Sequence, residues 1–346
     1  MSTVEYSIVI PVCNEEQSLP ELCARLQTLG SQLDGDMEVI LVDDGSRDAS
    51  YSLMQEMNER DPRFKAVRLS RNFGHQIAIT AGLDIASGRA VVVMDADLQD
   101  PPEVIVEMAA KWREGYEVVY ALRAQRTGES VFKRLTAAAF YRTLQRLTDI
   151  EAPIDVGDFR LVDRRALEAF RAMRENNRYV RGMFSWIGFR QTGVRYERAE
   201  RYAGTTKFPT RRMLQFAIDA IVSFSNVPLR LALNLGFLLA GLSFLAGLAA
   251  VVAKVTDAFL VPGWASLVVA ICFLGGIQLM ILGVMGEYIA RIYDEVKNRP
   301  LYVVADMRGF EVPAHAGPRR VIAPSLPPVD GRSHPADDVR TMPPAR

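Results

Sequence analysis

Two aspartates stand directly after a predicted core strand, and their spacing suits metal chemistry. The apolar run Ala90–Val93 predicts a buried strand, and Asp95 and Asp97 follow it. Open α/β sheets bind ligands beyond the carboxyl ends of their strands. Two carboxylates two positions apart, with the amide oxygen of Gln99 nearby, suit a hard divalent cation that neutralises a diphosphate leaving group. The alternative is a strand-to-helix turn with aspartate as N-cap and proline at the first helical position, which we favour for Asp100.

Two other predicted strands also end in polar turns. Cys13, Asn14 and Glu15 follow the first strand, and the second ends in the run Asp43-Asp44-Gly45-Ser46. Glycine allows a tight turn, and either aspartate can accept hydrogen bonds from a base or a ribose. Each turn alone also fits ordinary turn chemistry. Three acidic strand ends at one edge of one sheet, however, indicate a ligand site rather than helix capping alone.

Predicted strands and helices alternate over about the first 200 residues, a length that suits one α/β domain. The predicted strands are residues 6–12, 38–42, 66–69, 90–94, 117–121 and 159–162. Helical stretches lie between most of them, for instance residues 18–33, 49–60 and 76–86. This order predicts an α/β fold with a mainly parallel sheet and helices on both faces.

Composition excludes several other classes of protein. Lysine plus arginine and aspartate plus glutamate both number 41 in the 346 residues, and this balance argues against nucleic acid as a partner. The three cysteines have spacings of neither a disulfide framework nor a zinc site. Two of the three histidines lie near the C-terminus, which argues against a histidine metal centre or a Ser-His-Asp triad. The N-terminus lacks the pattern of a cleaved signal peptide.

Two long apolar runs follow the α/β region. Residues 231–253 and 264–286 contain no charged side chain, and each is close to the length of about 20 residues that crosses a bilayer. A buried hairpin in a soluble protein is the alternative. Basic residues flank the pair on both sides, and the positive-inside rule then places both termini and the α/β domain in the cytoplasm.

The chain therefore divides into five predicted parts. They are a cytoplasmic domain (1–206), a juxtamembrane amphipathic helix (207–228), a two-helix transmembrane hairpin (229–292), a return segment (293–307) and a disordered, proline-rich tail (308–346). A helix packed on the sheet explains the second part equally well. Trp186 is predicted to lie in the core, because aromatic side chains dominate core packing.

Five motifs together resemble family 2 glycosyltransferases. They are residues 11–16, 43–46, 95–103, 157–161 and 201–207. The branch most similar is the polyprenyl-phosphate glycosyltransferases, which include dolichyl-phosphate mannose synthases and bacterial undecaprenyl-phosphate glucosyl- and aminoarabinosyl-transferases. The similarity covers roughly residues 4–300. It implies a GT-A type domain followed by an interfacial helix and two transmembrane helices.

The resemblance also implies roles for individual residues. Metal ligands for Mg or Mn are Asp95, Asp97 and Gln99. Residues implied to bind the nucleotide sugar are Pro11, Cys13, Glu15, Asp43, Asp44, Asp95, Ala96, Asp97 and Arg123. Cys13 stands where the family often has tyrosine, which leaves the nucleobase open; a UDP-sugar is favoured over a GDP-sugar.

The same resemblance assigns the acceptor side of the site. Arg201 and Lys207 are implied to bind the acceptor phosphate, although attraction to anionic lipid headgroups explains them too. Asp158 is implied to be catalytic. A phosphate monoester is largely a dianion at neutral pH, so Asp158 either acts as a base or orients the acceptor, a sugar hydroxyl or an arginine.

The activity implied is metal-dependent, inverting transfer of one sugar to a polyprenyl (undecaprenyl) phosphate at the cytoplasmic face of the inner membrane. A processive polysaccharide synthase of the same fold is an alternative, but such synthases typically carry a Gln-x-x-Arg-Trp motif, which this chain lacks. An inactive membrane-anchored sugar-binding scaffold is a second alternative. The sequence leaves self-association into a homo-oligomer open.

Overall fold

Short runs of valine, isoleucine and leucine form the centre of the sheet, because such side chains pack well on a buried, pleated surface. The computed structural model describes residues 4–123, 156–197, 227–255 and 264–310. In it β1 (Tyr6–Val12) is buried along its whole length. This strand pairs in parallel with β2 (Met37–Asp43) and with β4 (Ala90–Val93), and β2 pairs in parallel with β3 (Phe64–Leu69).

The outer strands make the sheet mixed. β6 (Val156–Asp163) lies antiparallel between β4 and β5 (Val118–Arg123), and β7 (Gln191–Tyr196) continues in parallel beside β5. At the other edge β8 (Val304–Arg308) runs antiparallel to β3. The order in the described residues is β7-β5-β6-β4-β1-β2-β3-β8. The sheet is therefore mainly parallel, as predicted, but mixed: among the described strands β6 and β8 run against the other six. The direction of β6 depends on neighbours that are distant in sequence, so no local pattern predicted it.

Helices cover both faces of this sheet, as the alternating order predicts. One face carries α1 (Leu19–Gly30), α2 (Ser50–Arg60) and α4 (Val104–Arg113). The other carries α3 (His75–Ile85), α5 (Arg164–Ala172) and α6 (Val180–Trp186). Side chains on each strand point alternately to the two faces, so Ile8 and Ile10 belong to the first core and Val9 to the second.

Two long helices follow, where the uncharged runs lie. They are α7 (Val227–Val255) and α8 (Trp264–Val296). Within the described ranges, the segment long and apolar enough to cross a membrane is Phe273–Val296. The second span and the hairpin topology therefore stay predictions.

After α8 the chain returns to the α/β domain. The end of α8 contacts the loop between α5 and α6, where the backbone N–H of Asn176 donates to Glu295 Oε1 at 2.7 Å. The next residues form β8, which completes one edge of the sheet. Neither β7 nor β8 was predicted from the sequence.

The prediction for Trp186 is wrong: this residue ends α6 and is 67% exposed.

Candidate functional site

The carboxyl ends of β1, β2 and β4 meet at one edge of the sheet, and the antiparallel β6 brings its N-terminal end to the same edge. In the pairing of β4 with β6, Val93 lies opposite Arg160. Asp95 follows Val93 by two residues and Asp158 precedes Arg160 by two, so both lie at this edge of the sheet. The acidic loop after β4 and the start of β6 are thus brought together by strand pairing, although 63 positions separate the two aspartates in the sequence.

Hydrogen bonds join the loops after β1 and β2 to each other. The backbone N–H of Asn14 donates to Ser46 Oγ at 2.9 Å, and that of Arg47 donates to Asn14 Oδ1 at 2.8 Å. The predicted tight turn is present, with Gly45 at φ 72°. Glu15 Oε2 accepts from Ser18 Oγ at 3.0 Å at the start of α1. These polar residues therefore build a rigid wall from two strand ends.

The two aspartates that end β2 have different environments. Asp44 accepts from the backbone N–H groups of Phe73 at 2.7 Å and Gly74 at 2.9 Å, and burial raises its pKa against the lowering effect of these bonds. Asp43 Oδ1 accepts from the N–H of Ser46 at 2.9 Å. Its other oxygen is buried without a hydrogen bond in the part of the chain that the structure describes, 3.3 Å from Arg68 Nε. Asp44 thus holds the loop before α3, and Asp43 pairs with Arg68 at the end of β2.

The loop after β4 holds the predicted metal ligands. Asp95 is half-buried, and its Oδ1 has no hydrogen bond to any described residue. Burial, with the neighbouring Asp158, Asp100 and Asp97, raises the pKa of Asp95 to about 6. Asp97 Oδ1 accepts from the N–H of Gln99 at 3.2 Å.

Asp100 is not an N-cap, which corrects the interpretation preferred from the sequence. Helix α4 begins at Val104 with Glu103 in the N-cap position. The buried Asp100 carboxylate instead accepts a hydrogen bond from the hydroxyl of Tyr196. Because Tyr196 belongs to β7, a strand that the sequence pattern did not reveal, this partner was not foreseeable.

Asp158 lies at the start of β6 with its side chain only 4% exposed. Arg181 on α6 donates hydrogen bonds to both carboxylate oxygens of Asp158, from Nε to Oδ1 at 2.8 Å and from Nη2 to Oδ2 at 2.9 Å. Burial alone would raise the pKa of Asp158, but Arg181 and His75 outweigh it and hold the pKa well below its usual range. The carboxylate is consequently ionised at neutral pH and weakly basic, which suits orientation better than proton abstraction.

His75 was not selected from the sequence, yet it lies between the two key carboxylates. Its Nε2 is 3.3 Å from Asp158 Oδ2 and 3.5 Å from Asp95 Oδ1. Burial would lower the pKa of His75, but the hydrogen bond to Asp158 and the charge of Asp95 outweigh it and raise the pKa. A single histidine before an apolar helix carries no motif, so only the fold identifies it.

The residues present fit a divalent cation bound together with a substrate. Asp95 offers an oxygen that has no hydrogen bond among the described residues, and burial together with carboxylate repulsion raises its pKa. No group of three or more His, Cys, Asp or Glu side chains is arranged to hold a metal in the described ranges. Two carboxylates with substrate phosphates and water are a usual arrangement for Mg²⁺. Asp95 and Asp97 would therefore be protein ligands, and Gln99 would add an amide oxygen.

The remaining predicted site residues are less closely grouped. Cys13 Sγ accepts from Asn72 Nδ2 at 3.5 Å. Pro11 and Ala96 are buried in the frame of the site. Arg123 ends β5 beside Gly157, and its Nε is buried without a hydrogen bond to any described residue. Arg201, Lys207 and the predicted juxtamembrane helix lie outside the described residues.

Comparison with known proteins adds independent information. A family model for glycosyl transferase family 2 matches residues 7–171. An uncharacterized glycosyltransferase of Bacillus subtilis is 51% identical over 308 residues, covering 89% of this chain and 95% of the relative. The bactoprenol glucosyl transferase of Shigella phage SfII is 40% identical over 301 residues, covering 87% of this chain and 97% of the relative. A prophage bactoprenol glucosyl transferase homolog of Escherichia coli is 38% identical, covering 87% and 98% respectively.

Proposed function

Since the chain belongs to glycosyl transferase family 2 and is a glycosyltransferase, we propose that it transfers a single sugar from a nucleotide sugar to a polyprenyl phosphate. The observation that carries this proposal is the match to bactoprenol glucosyl transferases along nearly their whole length. That match extends well beyond the residues that the family model covers, into the long apolar helices. A lipid acceptor gives those helices a direct purpose, because anchoring confines enzyme and substrate to one surface.

The membrane arrangement follows from the same proposal. Large apolar side chains stand exposed along both long helices, among them Phe237 on α7 and Leu279 on α8. Such surfaces favour an apolar environment, and we infer that both helices cross the inner membrane as a hairpin. The catalytic domain and both termini then lie in the cytoplasm, where nucleotide sugars are available. The basic residues that flank the two helices favour this orientation.

The donor occupies the edge formed by the ends of β1, β2 and β4. Asp43 accepts hydrogen bonds from the nucleoside, and Pro11, Cys13, Glu15 and the Asp44-anchored loop shape the wall around it. A divalent cation held by Asp95, Asp97 and Gln99, either Mg or Mn, would offset charge on the diphosphate as it leaves. Ala96 keeps this loop packed against the core. UDP-sugars are the first donors to test, followed by GDP-sugars.

The acceptor phosphate oxygen attacks the anomeric carbon as the bond to the nucleoside diphosphate breaks, and this single displacement inverts the anomeric configuration. Two anionic phosphates must approach each other in this step, so cationic side chains have to offset their repulsion. We assign that role to Arg123 at the end of β5 and to Arg201 and Lys207. The ionised Asp158 does not need to remove a proton from an acceptor that is already largely a dianion. It instead holds Arg181 and orients the acceptor side of the site.

The direct test uses the full chain in nanodiscs with undecaprenyl phosphate and a panel of radiolabelled nucleotide sugars. We expect label to enter the organic phase with at least one sugar, to require Mg or Mn, and to be lost in Asp97→Asn. Asp34→Asn is the matched control, because Asp34 precedes β2 at the opposite edge of the sheet and pairs with Arg113. A polymer longer than one sugar would favour a processive synthase. Absence of any lipid product with every sugar would overturn the proposal and favour the scaffold.

A further inference from the structure

One turn of α3 contacts both carboxylates of the site and the helix that holds one of them. His75, the first residue of α3, faces Asp158 and Asp95 through Nε2 at 3.3 and 3.5 Å. The next residue, Gln76, accepts from the backbone N–H of Val180 at 3.0 Å through Oε1. Val180 begins α6, which also carries Arg181. The start of α3 therefore contacts Asp158 through His75, and it contacts α6, the helix that carries Arg181, through Gln76.

The position of His75 is fixed by its own loop. Asp44 accepts from the N–H groups of Phe73 and Gly74, which are the two residues just before the helix. Gly74 has φ 103°, a conformation open to glycine and strained for other residues. A helix held in this way presents its first side chain at the site. His75 is therefore placed by the backbone rather than by a flexible loop.

We infer that His75 is a positioning residue that fixes Asp158 relative to Asp95 and so sets the acceptor side of the site against the donor side. This inference rests on the proposed function. Both carboxylates lie within 3.5 Å of His75 Nε2, close enough for their charges to repel. Arg181 holds Asp158 through both oxygens from the side of α6. The Nε2 atom of His75 faces both carboxylates, at 3.3 Å from Asp158 Oδ2 and 3.5 Å from Asp95 Oδ1.

The consequence of losing His75 should be specific. Asp158 would keep Arg181 but lose its fixed distance from Asp95, so the acceptor would be misaligned with a correctly bound donor. Misplacement by about 1 Å can lower turnover about a hundredfold. Binding of the nucleotide sugar and of the metal should change little, because Asp95, Asp97 and the loops after β1 and β2 remain.

The test compares His75→Leu and His75→Gln with the wild type in the nanodisc assay, with Arg174→Met as a control for loss of an ion pair elsewhere in the domain. We expect His75→Leu to lower kcat at least about tenfold and to raise the KM of the polyprenyl phosphate, following the misplacement argument. The KM of the nucleotide sugar and the metal concentration for half-activation should stay within about twofold, since no donor or metal ligand is removed. His75→Gln retains an N–H donor and should recover most of kcat.

Three results would overturn the inference. They are wild-type kcat in His75→Leu, equal losses in the leucine and glutamine variants, and a parallel rise in both KM values and the metal constant, which indicates general disruption. Thermal unfolding of each variant identifies misfolding, and a folded His75→Gln still decides the question if the leucine variant unfolds. Failure of the wild type to form any lipid product would count against the proposed function instead.

Discussion

Replacing Arg181 by methionine should separate the role of this arginine in folding from its role in catalysis. Arg181→Met removes two hydrogen bonds, of 2.8 and 2.9 Å, from a carboxylate whose side chain is 4% exposed. Arg174→Met is a matched control, because Arg174 Nη1 donates to both oxygens of Asp84 at 2.9 Å and Asp84 is 3% exposed. Among the described residues each aspartate keeps a further donor after the substitution, which is His75 for Asp158 and Tyr302 for Asp84.

The magnitude follows from burial. Breaking a buried ion pair costs about 3–5 kcal/mol, but both arginines are about a third exposed, so we expect about 2–3 kcal/mol for each variant. In a domain of this size that lowers the unfolding midpoint by about 4–10 °C. The two variants should be about equally destabilised, because the burial of each pair and the number of hydrogen bonds from the arginine to its aspartate are nearly the same.

Activity should distinguish them. In the nanodisc assay Arg181→Met should lose about tenfold or more of kcat, because Asp158 is no longer held, while Arg174→Met should stay within about twofold of the wild type after correction for the folded fraction. Unfolding midpoints come from intrinsic fluorescence of the full chain in detergent. Unchanged turnover in Arg181→Met, or equal loss of turnover in both variants, would refute the assignment of Asp158 and Arg181 to the site.

Three further perturbations test the fold that positions the site. Gly82→Ala should destabilise the domain by about 1–3 kcal/mol despite the better helix propensity of alanine, because a Cβ there would overlap a valine of β1; an unchanged unfolding midpoint would contradict this. Glu38 is buried and accepts a hydrogen bond from Lys65 at 2.7 Å. Burial would raise its pKa, but this bond and its other hydrogen bonds outweigh burial and lower it. The stabilisation from the Glu38 carboxylate is therefore complete above the unfolded pKa of about 4.3 and is lost as the pH falls below that value. Glu38→Gln should therefore cost about 2 kcal/mol at pH 7 and flatten the acid limb of a stability–pH curve, and equal acid sensitivity in both proteins would argue against it. Glu295→Ala removes the contact of α8 with Asn176 and should lower stability by about 0.5–1.5 kcal/mol in a urea titration.

Local patterns in the sequence were sufficient for much of this architecture. Continuous apolar runs predicted β1, β2 and β4 nearly to the residue, and helical stretches between them predicted α1, α2 and α3. Because parallel strands joined by helices end at one edge, the acidic residues after these strands were expected to meet there. The resemblance to family 2 glycosyltransferases, now supported by close relatives, rests on those same local motifs.

Other features required contacts between distant parts of the chain. The sequence pattern assigned Asp100 to a helix cap. In the structure its carboxylate accepts a hydrogen bond from the hydroxyl of Tyr196, which lies on the unpredicted strand β7. Trp186 has the residue type of a core side chain but lies at the exposed end of α6. A residue type limits what a position can do, whereas burial and partners depend on which elements pack around it.

The sequence by itself determined which groups are available for the proposed chemistry: paired carboxylates at strand ends, cationic side chains and long apolar helices. The tertiary structure decided how those groups face one another. It inserted β6 antiparallel beside β4, which brings Asp158 to the same edge of the sheet as Asp95, and it brought His75 and Arg181 to the Asp158 carboxylate. The physical reason is that strand pairing and helix packing minimise the free energy of the whole fold, so no local pattern encodes which distant residues become neighbours.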